Sequence, residues 1–168
     1  LIIACLLAVV RVSKIPVLNG AALLFISFFR GTPLLVQLFL VYYGLGQFNS
    51  ELRALGLWWI FRDAWYCGLL ALVLNTAAYQ AEIIRGSLQM IPASVHETNA
   101  ALNLTRWTAF RQVLLPIAFA KARPAIGNEF ILLLKATSLV AIITVFDLMG
   151  QARFVFSETL DLRVYYVA

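Results

Sequence analysis

Residues 125–146 read Ala125-Ile126-Gly127-Asn128-Glu129-Phe130-Ile131-Leu132-Leu133-Leu134-Lys135-Ala136-Thr137-Ser138-Leu139-Val140-Ala141-Ile142-Ile143-Thr144-Val145-Phe146. The stretch is 22 residues long, and Glu129 and Lys135 are its only charges. A helix needs about 20 mostly apolar residues to cross the hydrocarbon core of a bilayer, so these residues form a spanning helix. The rest of the chain has the same character. Of its 168 residues 62% are hydrophobic and 12% charged, with a mean hydropathy of +0.89. Soluble domains run at about 45–50% apolar and about 25% charged. Too few polar side chains are present to coat a water-exposed surface, so the chain is a membrane protein. An extracellular disulfide scaffold and a disordered tail are both excluded. Lys+Arg 13 against Asp+Glu 8 leaves a net charge of +5. The bases are scattered between apolar blocks, which is a signal of membrane orientation rather than of nucleic-acid binding.

Upstream, residues 1–10 are half of a span that ends at the basic stop Arg11-Val12-Ser13-Lys14. Residues 15–29 are apolar but amphipathic and break at Arg30-Gly31-Thr32-Pro33. Proline suits the first turn of a helix, and Thr32 before it can cap the open amides. Pro33 then starts a second span running to Gly46, and residues 19–29 form a helix at the membrane surface. One tilted, kinked span over residues 19–46 is the competing reading. Residues 47–63 form a polar loop carrying Glu51, Arg53, Arg62 and Asp63, with Trp58 and Trp59 as interfacial aromatics. Residues 65–81 are a third span, 82–123 are too polar to cross, and 125–146 are the fourth. Residues 147–163 make a second polar loop, and a fifth span begins after it. Both ends lie inside apolar runs, so the first and last spans are expected to be truncated and the chain to be the core of a longer protein.

Alternating these spans places residues 11–14 and 82–123 on one side. That side has seven bases: Arg11, Lys14, Arg85, Arg106, Arg111, Lys121 and Arg123. Residues 47–63 and 147–163 lie on the other, with four: Arg53, Arg62, Arg153 and Arg163. The excess marks the first side as cytoplasmic. Cys5 and Cys67 sit in apolar stretches with no His, Cys or Asp at ligand spacing, which reads as small buried side chains and no metal or redox site.

Residues 82–123 carry the most specific pattern. Ser94 is a candidate N-cap, with Glu97 three residues on completing a capping box. Ala100-Ala101-Leu102 favours helix, and Asn103 can close it in the left-handed conformation. Thr105 can cap a second helix, whose Trp107, Phe110, Val113 and Leu114 fall at helical spacing, and Pro116 is expected to stop it. Two short helices projecting from a membrane domain make a docking surface more readily than a catalytic one. His96, the single histidine, reads as a solvated or docking residue beside Glu97.

This stretch resembles the coupling loop of ABC importer permeases. Glu97, Ala101, Leu102, Phe110, Leu115 and Pro116 match the family's Glu-Ala-Ala…Gly…Leu-Pro pattern. Thr98 and Asn99 stand where two alanines are usual, and Asn103 stands where glycine is. Phe29-Arg30-Gly31-Thr32-Pro33-Leu34-Leu35-Val36-Gln37 is similar to the second-span signature of polar amino acid uptake permeases. Asn75-Thr76-Ala77-Ala78-Tyr79-Gln80-Ala81-Glu82-Ile83-Ile84-Arg85-Gly86, followed by Ile91-Pro92, resembles the segment entering that family's coupling loop. Asn128-Glu129 and Leu134-Lys135-Ala136-Thr137-Ser138-Leu139-Val140 resemble its fourth span.

The resemblance implies an all-α polytopic membrane protein of the bacterial inner membrane. It would be a single permease domain over residues 1–168, a five-span core with residues 82–123 as the coupling loop. The implied partners are a second permease, identical or related, two cytoplasmic ATPases and an extracytoplasmic solute-binding protein. ATP and magnesium would reside on the ATPases, because this chain has no Gly-x-x-x-x-Gly-Lys-Ser/Thr loop. Glu97, Ala100, Ala101, Leu102, Asn103, Phe110 and Pro116 are the implied coupling residues.

Polar groups at membrane depth are costly and mark pathways or interhelical bonds. Gln37, Asn75, Thr76, Tyr79, Lys135, Thr137 and Ser138 are therefore substrate-pathway candidates, with helix–helix hydrogen bonding as the alternative for each. Lys135 can also snorkel or pair with Glu129. Glu82 and Arg85 suit an ion pair at the cytoplasmic end of the third span, and Arg30 suits snorkelling or a helix cap. Residues 44–48, Leu57-Trp58 and residues 75–79 look most like permeases for arginine, histidine, ornithine or opines. Glutamine, glutamate or another polar amino acid is the runner-up. One histidine and no paired intramembrane carboxylates speak against a membrane enzyme, so no catalytic or metal residue is assigned. A stand-alone channel or secondary transporter would have no use for the coupling loop.

Overall fold

A computed structural model of the chain describes residues 1–12, 15–145 and 148–160, and every regular element among them is helical. The helices are α1 (Ile2–Val12), α2 (Pro16–Gly31), α3 (Leu34–Phe39), α4 (Asn49–Ala54), α5 (Trp58–Phe61), α6 (Ala64–Gln89), α7 (Ala93–Ala101), α8 (Arg106–Ala109), α9 (Leu115–Ala136) and α10 (Leu148–Thr159). A wide π-turn extends α3 over Leu40–Gly44, another joins α8 to α9 over Phe110–Leu114, and a 3-10 segment continues α9 over Thr137–Ile143. Helix α6 and the continuous stretch Arg106–Ile143 are each long and apolar enough to cross a membrane. The pair Pro16–Gly31 and Leu34–Gly44 qualifies as a third span only when taken as one broken crossing.

The chain divides into two compact units. Leu1–Arg30 and Thr76–Phe130 form the first, and Gly31–Asn75 and Ile131–Ala168 form the second. The core of the first unit is mostly alanine: Ala4 and Ala8 of α1 and Ala78 and Ala81 of α6 are buried with Ile26 and Ile84, and Cys5 packs against them. Small side chains let helix backbones approach closely, and in lipid, where no hydrophobic gain separates helix from tail, close packing drives association. The second unit buries Leu38, Val41, Cys67, Ala71, Val140 and Ile143. A methyl added at Gly68 would sit 3.2 Å from Val140 Cγ1, so glycine there permits the approach of α6 to the 3-10 segment.

Several sequence expectations need correction. The helix of the third span continues past Ala81 to Gln89, and the expected Glu82–Arg85 ion pair is present in that extension, with Arg85 Nε donating to Glu82 Oε1 at 2.8 Å. Residues 47–63 are not an open loop but hold α4 and α5, joined at Gly56. There φ is +69°, Gly56 N donates to Arg53 O at 3.0 Å and Leu57 N to Leu52 O at 2.8 Å. The second polar stretch likewise contains α10. The N-cap of α3 is Pro33, without a side-chain cap, and the Thr32 hydroxyl and carbonyl both accept from Gln37 Nε2.

Ser94 is not an N-cap either. Helix α7 starts at Ala93 after Pro92 without a side-chain cap, and Ser94 O accepts from the Thr98 hydroxyl at 2.8 Å. Pro116 does not stop its helix. A proline ring clashes with the carbonyl four residues back, and the π-turn over Phe110–Leu114 spreads that turn just before it. The helix that carries the fourth span therefore begins well before Ala125 and also holds Pro124 in its interior. Ser13, Lys14, Phe146, Asp147 and the start of the fifth span lie outside the described residues.

Candidate functional site

The projecting segment is built from α7, a tight turn and α8, all in the first unit. Asn103 adopts φ 52°, its N–H donates to Ala100 O at 2.9 Å, and Leu104 N–H donates to Asn99 O at 3.1 Å. These paired bonds around one left-handed residue close a helix end without leaving its last carbonyls orphaned. Asn103 thus holds the place foreseen for it. Thr105 does too: its hydroxyl accepts from Thr108 N at 3.2 Å and caps α8. On the other flank, Lys121 Nζ donates to Met90 O at 2.9 Å and ties the end of α6 to α9.

What this frame presents is unusual for a polar segment. Leu102 is 65% exposed and Trp107 67%, with the Trp107 and Phe110 rings stacked 6.2 Å apart. Glu97, His96, Ala100, Ala101 and Pro116 are also exposed, Phe110 is half-buried, and Asn99 is buried with its Nδ2 unbonded. A carboxylate beside small and large apolar groups, on helices fixed at both ends, fits a protein-binding face.

The pathway candidates separate. Gln37 is 2% exposed and saturated: Nε2 donates to Thr32 O at 3.0 Å and Oγ1 at 2.8 Å, and Oε1 accepts from Asn75 Nδ2 at 3.0 Å. Gln37 and Asn75 therefore join α3 to α6 within the second unit. Thr137 and Ser138 donate to Leu134 O and Lys135 O, each at 2.7 Å, which satisfies them locally. Thr137 also lines a cavity of about 290 Å³ with Trp65, Gly68, Leu72 and Val140. Lys135 is exposed in the last turn of α9. It does not pair with Glu129, because six residues on one α-helix are about 240° apart around the axis.

Thr76 and Tyr79 belong to the first unit and are half-buried. There the Arg30 guanidinium, exposed in the last turn of α2, lies over the Tyr79 ring, 5.3 Å from its centroid. Glu129 is the residue that sequence reasoning passed over as a site. It is 9% exposed in the middle of α9. The signal was present, a carboxylate inside a 22-residue apolar run, but periodicity does not reveal which face of the helix is covered.

Comparison with known proteins decides the family. Residues 1–168 match the family described as the binding-protein-dependent transport system inner membrane component. The chain belongs to that family.

Among relatives of this transport-system component, the nopaline transport system permease protein NocM of Agrobacterium fabrum is 43% identical over 96% of this chain and 67% of its own length. The octopine transport system permease protein OccM of Rhizobium radiobacter is 44% identical over 91% of this chain and 62% of its own. The arginine ABC transporter permease protein ArtM of Haemophilus influenzae is 40% identical over 90% and 66%. The chain thus spans about two thirds of the length of these relatives. A crystal structure of an amino acid ABC transporter with histidines matches with a TM-score of 0.85 and 35% identity, over 99% of this chain and 73% of that one. The transport-system component is therefore an all-α membrane protein with the fold of an amino acid ABC transporter subunit.

Proposed function

We propose that this chain is the permease subunit of a binding-protein-dependent ABC importer for polar amino acids, chiefly basic ones: arginine, histidine, ornithine and opines. In this reading it pairs with a second permease, identical or related, in the bacterial inner membrane. Two cytoplasmic ATPases carry the ATP and magnesium, a solute-binding protein delivers the amino acid from outside, and this chain hydrolyses nothing itself. The observation that carries the reading is the identity of 40% or more, over at least nine tenths of the chain, to permeases named for nopaline, octopine and arginine transport.

Residues 82–123 then act as the coupling loop. Glu97 and Ala100–Asn103 seat in a groove of the ATPase, with Phe110 and Pro116 bracing the second arm. The closed helix end at Asn103 and the Lys121–Met90 tie make the segment stiff enough to pass on ATPase closure as a rigid-body displacement. Of the pathway candidates, Thr76 and Tyr79 keep a role near substrate, and Glu129 joins them as a buried carboxylate suited to a cationic side chain. Gln37, Asn75, Thr137 and Ser138 bond within the protein and act as interhelical and intrahelical ties. Lys135 anchors at the membrane boundary.

The reading is tested by reconstituting the full-length permease with its ATPase and binding protein and measuring ATP hydrolysis with arginine, histidine, glutamine and glutamate. Stimulation by the basic pair is expected. Stimulation by glutamine or glutamate alone keeps the importer and overturns its specificity, and no stimulation by any of the four overturns the importer reading. Glu97→Lys is expected to abolish co-purification of the ATPase; an intact complex would show that α7 is not the docking helix.

A further inference from the structure

The second unit contains a larger cavity that none of the roles above uses. It has a volume of about 670 Å³, and Tyr42, Arg62, Asp63, Trp65 and Thr144 line it together with Ala64 and Val145. That size is within the range of about 300–1,000 Å³ found for small-molecule sites, and the site is an open depression in which Arg62, Asp63, Trp65 and Thr144 are exposed. Its wall carries one cation and one anion from consecutive residues. Arg62 ends α5 and uses only its backbone N–H there, donating to Trp58 O at 3.0 Å. Asp63 uses one carboxylate oxygen to accept from Trp65 N at 2.9 Å at the start of α6. Among the described residues no ion pair joins Arg62 or Asp63 to any partner, although the two adjoin in sequence.

An indole and a phenol complete the wall, and at its rim Thr144 holds φ 68°. A β-branched residue in the left-handed region is strained, and such strain persists where the surroundings fix it, often beside a ligand. Two backbone bonds at the end of the 3-10 segment fix it here: Thr144 N–H donates to Ala141 O at 3.2 Å and Val145 N–H to Val140 O at 3.4 Å.

We propose that this cavity binds the zwitterionic head group of an α-amino acid. Arg62 takes the α-carboxylate, the free oxygen of Asp63 takes the α-ammonium, and Trp65 and Tyr42 flank the side chain. Indole and phenol faces attract a guanidinium or ammonium as well as apolar groups. Lying beside the stretch that positive-inside counting assigns to the outer surface, the cavity is a landing site for amino acid leaving the binding protein, ahead of the membrane pathway. The role, though not the geometry, rests on the importer reading.

The test uses the permease–ATPase complex carrying Ala64→Cys, with maleimide labelling of that position followed by mass spectrometry of its peptide. At about ten times the dissociation constant, L-arginine is expected to slow labelling about ten-fold by occupancy. Agmatine, which lacks the carboxylate, and 5-guanidinopentanoate, which lacks the α-ammonium, are expected to fail. Adding Arg62→Gln or Asp63→Asn is expected to remove the protection by arginine. Asparagine keeps the oxygen that accepts from Trp65 N, so the start of α6 is preserved. The proposal is overturned by equal protection from agmatine, by protection from the binding protein without amino acid, or by unprotected labelling in a complex that takes up arginine. A complex that transports none of the four amino acids above overturns the importer reading and the landing role with it, whereas unprotected labelling with intact uptake overturns the cavity alone.

Discussion

Gln37 shows how little a residue type says about its role inside a membrane protein. An amide at that depth suits a zwitterionic substrate as well as it suits a neighbouring helix, and only the geometry decides. Its oxygen accepts from Asn75 and its nitrogen donates twice to Thr32. Replacing it with leucine keeps the volume but removes the bonds it makes to Asn75 Nδ2 and to the Thr32 hydroxyl and carbonyl. A buried polar group left unsatisfied costs about 1–3 kcal/mol, so Gln37→Leu is expected to lower the thermal midpoint of the detergent-purified protein, and Thr32→Val to lower it less. A Gln37→Leu protein as stable as the parent would sink the view of this amide as a structural tie. Glu129 is the opposite case: it is 9% exposed against 2% for Gln37, and its carboxylate makes no hydrogen bond or ion pair among the described residues.

At the scale of elements, the junction between α7 and α8 depends on one backbone conformation. Asparagine tolerates φ above zero better than other non-glycine residues, and glycine tolerates it freely. Asn103→Gly is expected to leave the fold within a few tenths of a kcal/mol, whereas Asn103→Val forces a β-branched residue into the left-handed region at a cost of about 1–3 kcal/mol. Hydrogen exchange of the Leu102, Asn103 and Leu104 amides reads this directly: fast exchange in the valine variant and parental protection in the glycine one. Equal protection in both would show that the turn is held by something other than that φ. Elements were the level at which sequence reading did best on type and worst on extent. Helix signals at Asn103 and Thr105 were legible because caps are local chemistry. The runs through Pro116 and beyond Ala81 were not, because a π-turn absorbs the proline and because the end of an apolar run marks where a span ends rather than where its helix does.

For the whole molecule, the distribution of apolar surface is inverted relative to a soluble protein. Phe130, Ile131, Leu132 and Leu134 each leave half or more of their surface uncovered on α9, while the first unit buries alanines. In water that exposure would drive aggregation; in a bilayer the tails supply the contact. An arginine at the centre of a span costs about 2.5–3.5 kcal/mol of insertion. Ile131→Arg is therefore expected to reduce membrane insertion in a glycosylation-mapping assay, and Trp107→Arg, at a still more exposed site near Arg106 and Arg111, to leave it unchanged. Equal insertion of both variants would move the bilayer off α9.

Composition alone determined that this chain lives in a membrane, because no arrangement of 62% hydrophobic residues could hide them from water. Local chemistry determined the closing turn at Asn103, the cap at Thr105 and the ordered motifs that carry the family resemblance, since each depends on residues a few positions apart. Tertiary structure alone decided which polar groups are spent on one another and which stay open. Gln37 meets Asn75 across 38 positions of sequence, and Arg62, Asp63 and Tyr42 come to line one cavity with Thr144. Such pairings depend on how helices pack, and packing of lipid-facing helices leaves almost no trace in hydropathy because tails and side chains are equally apolar.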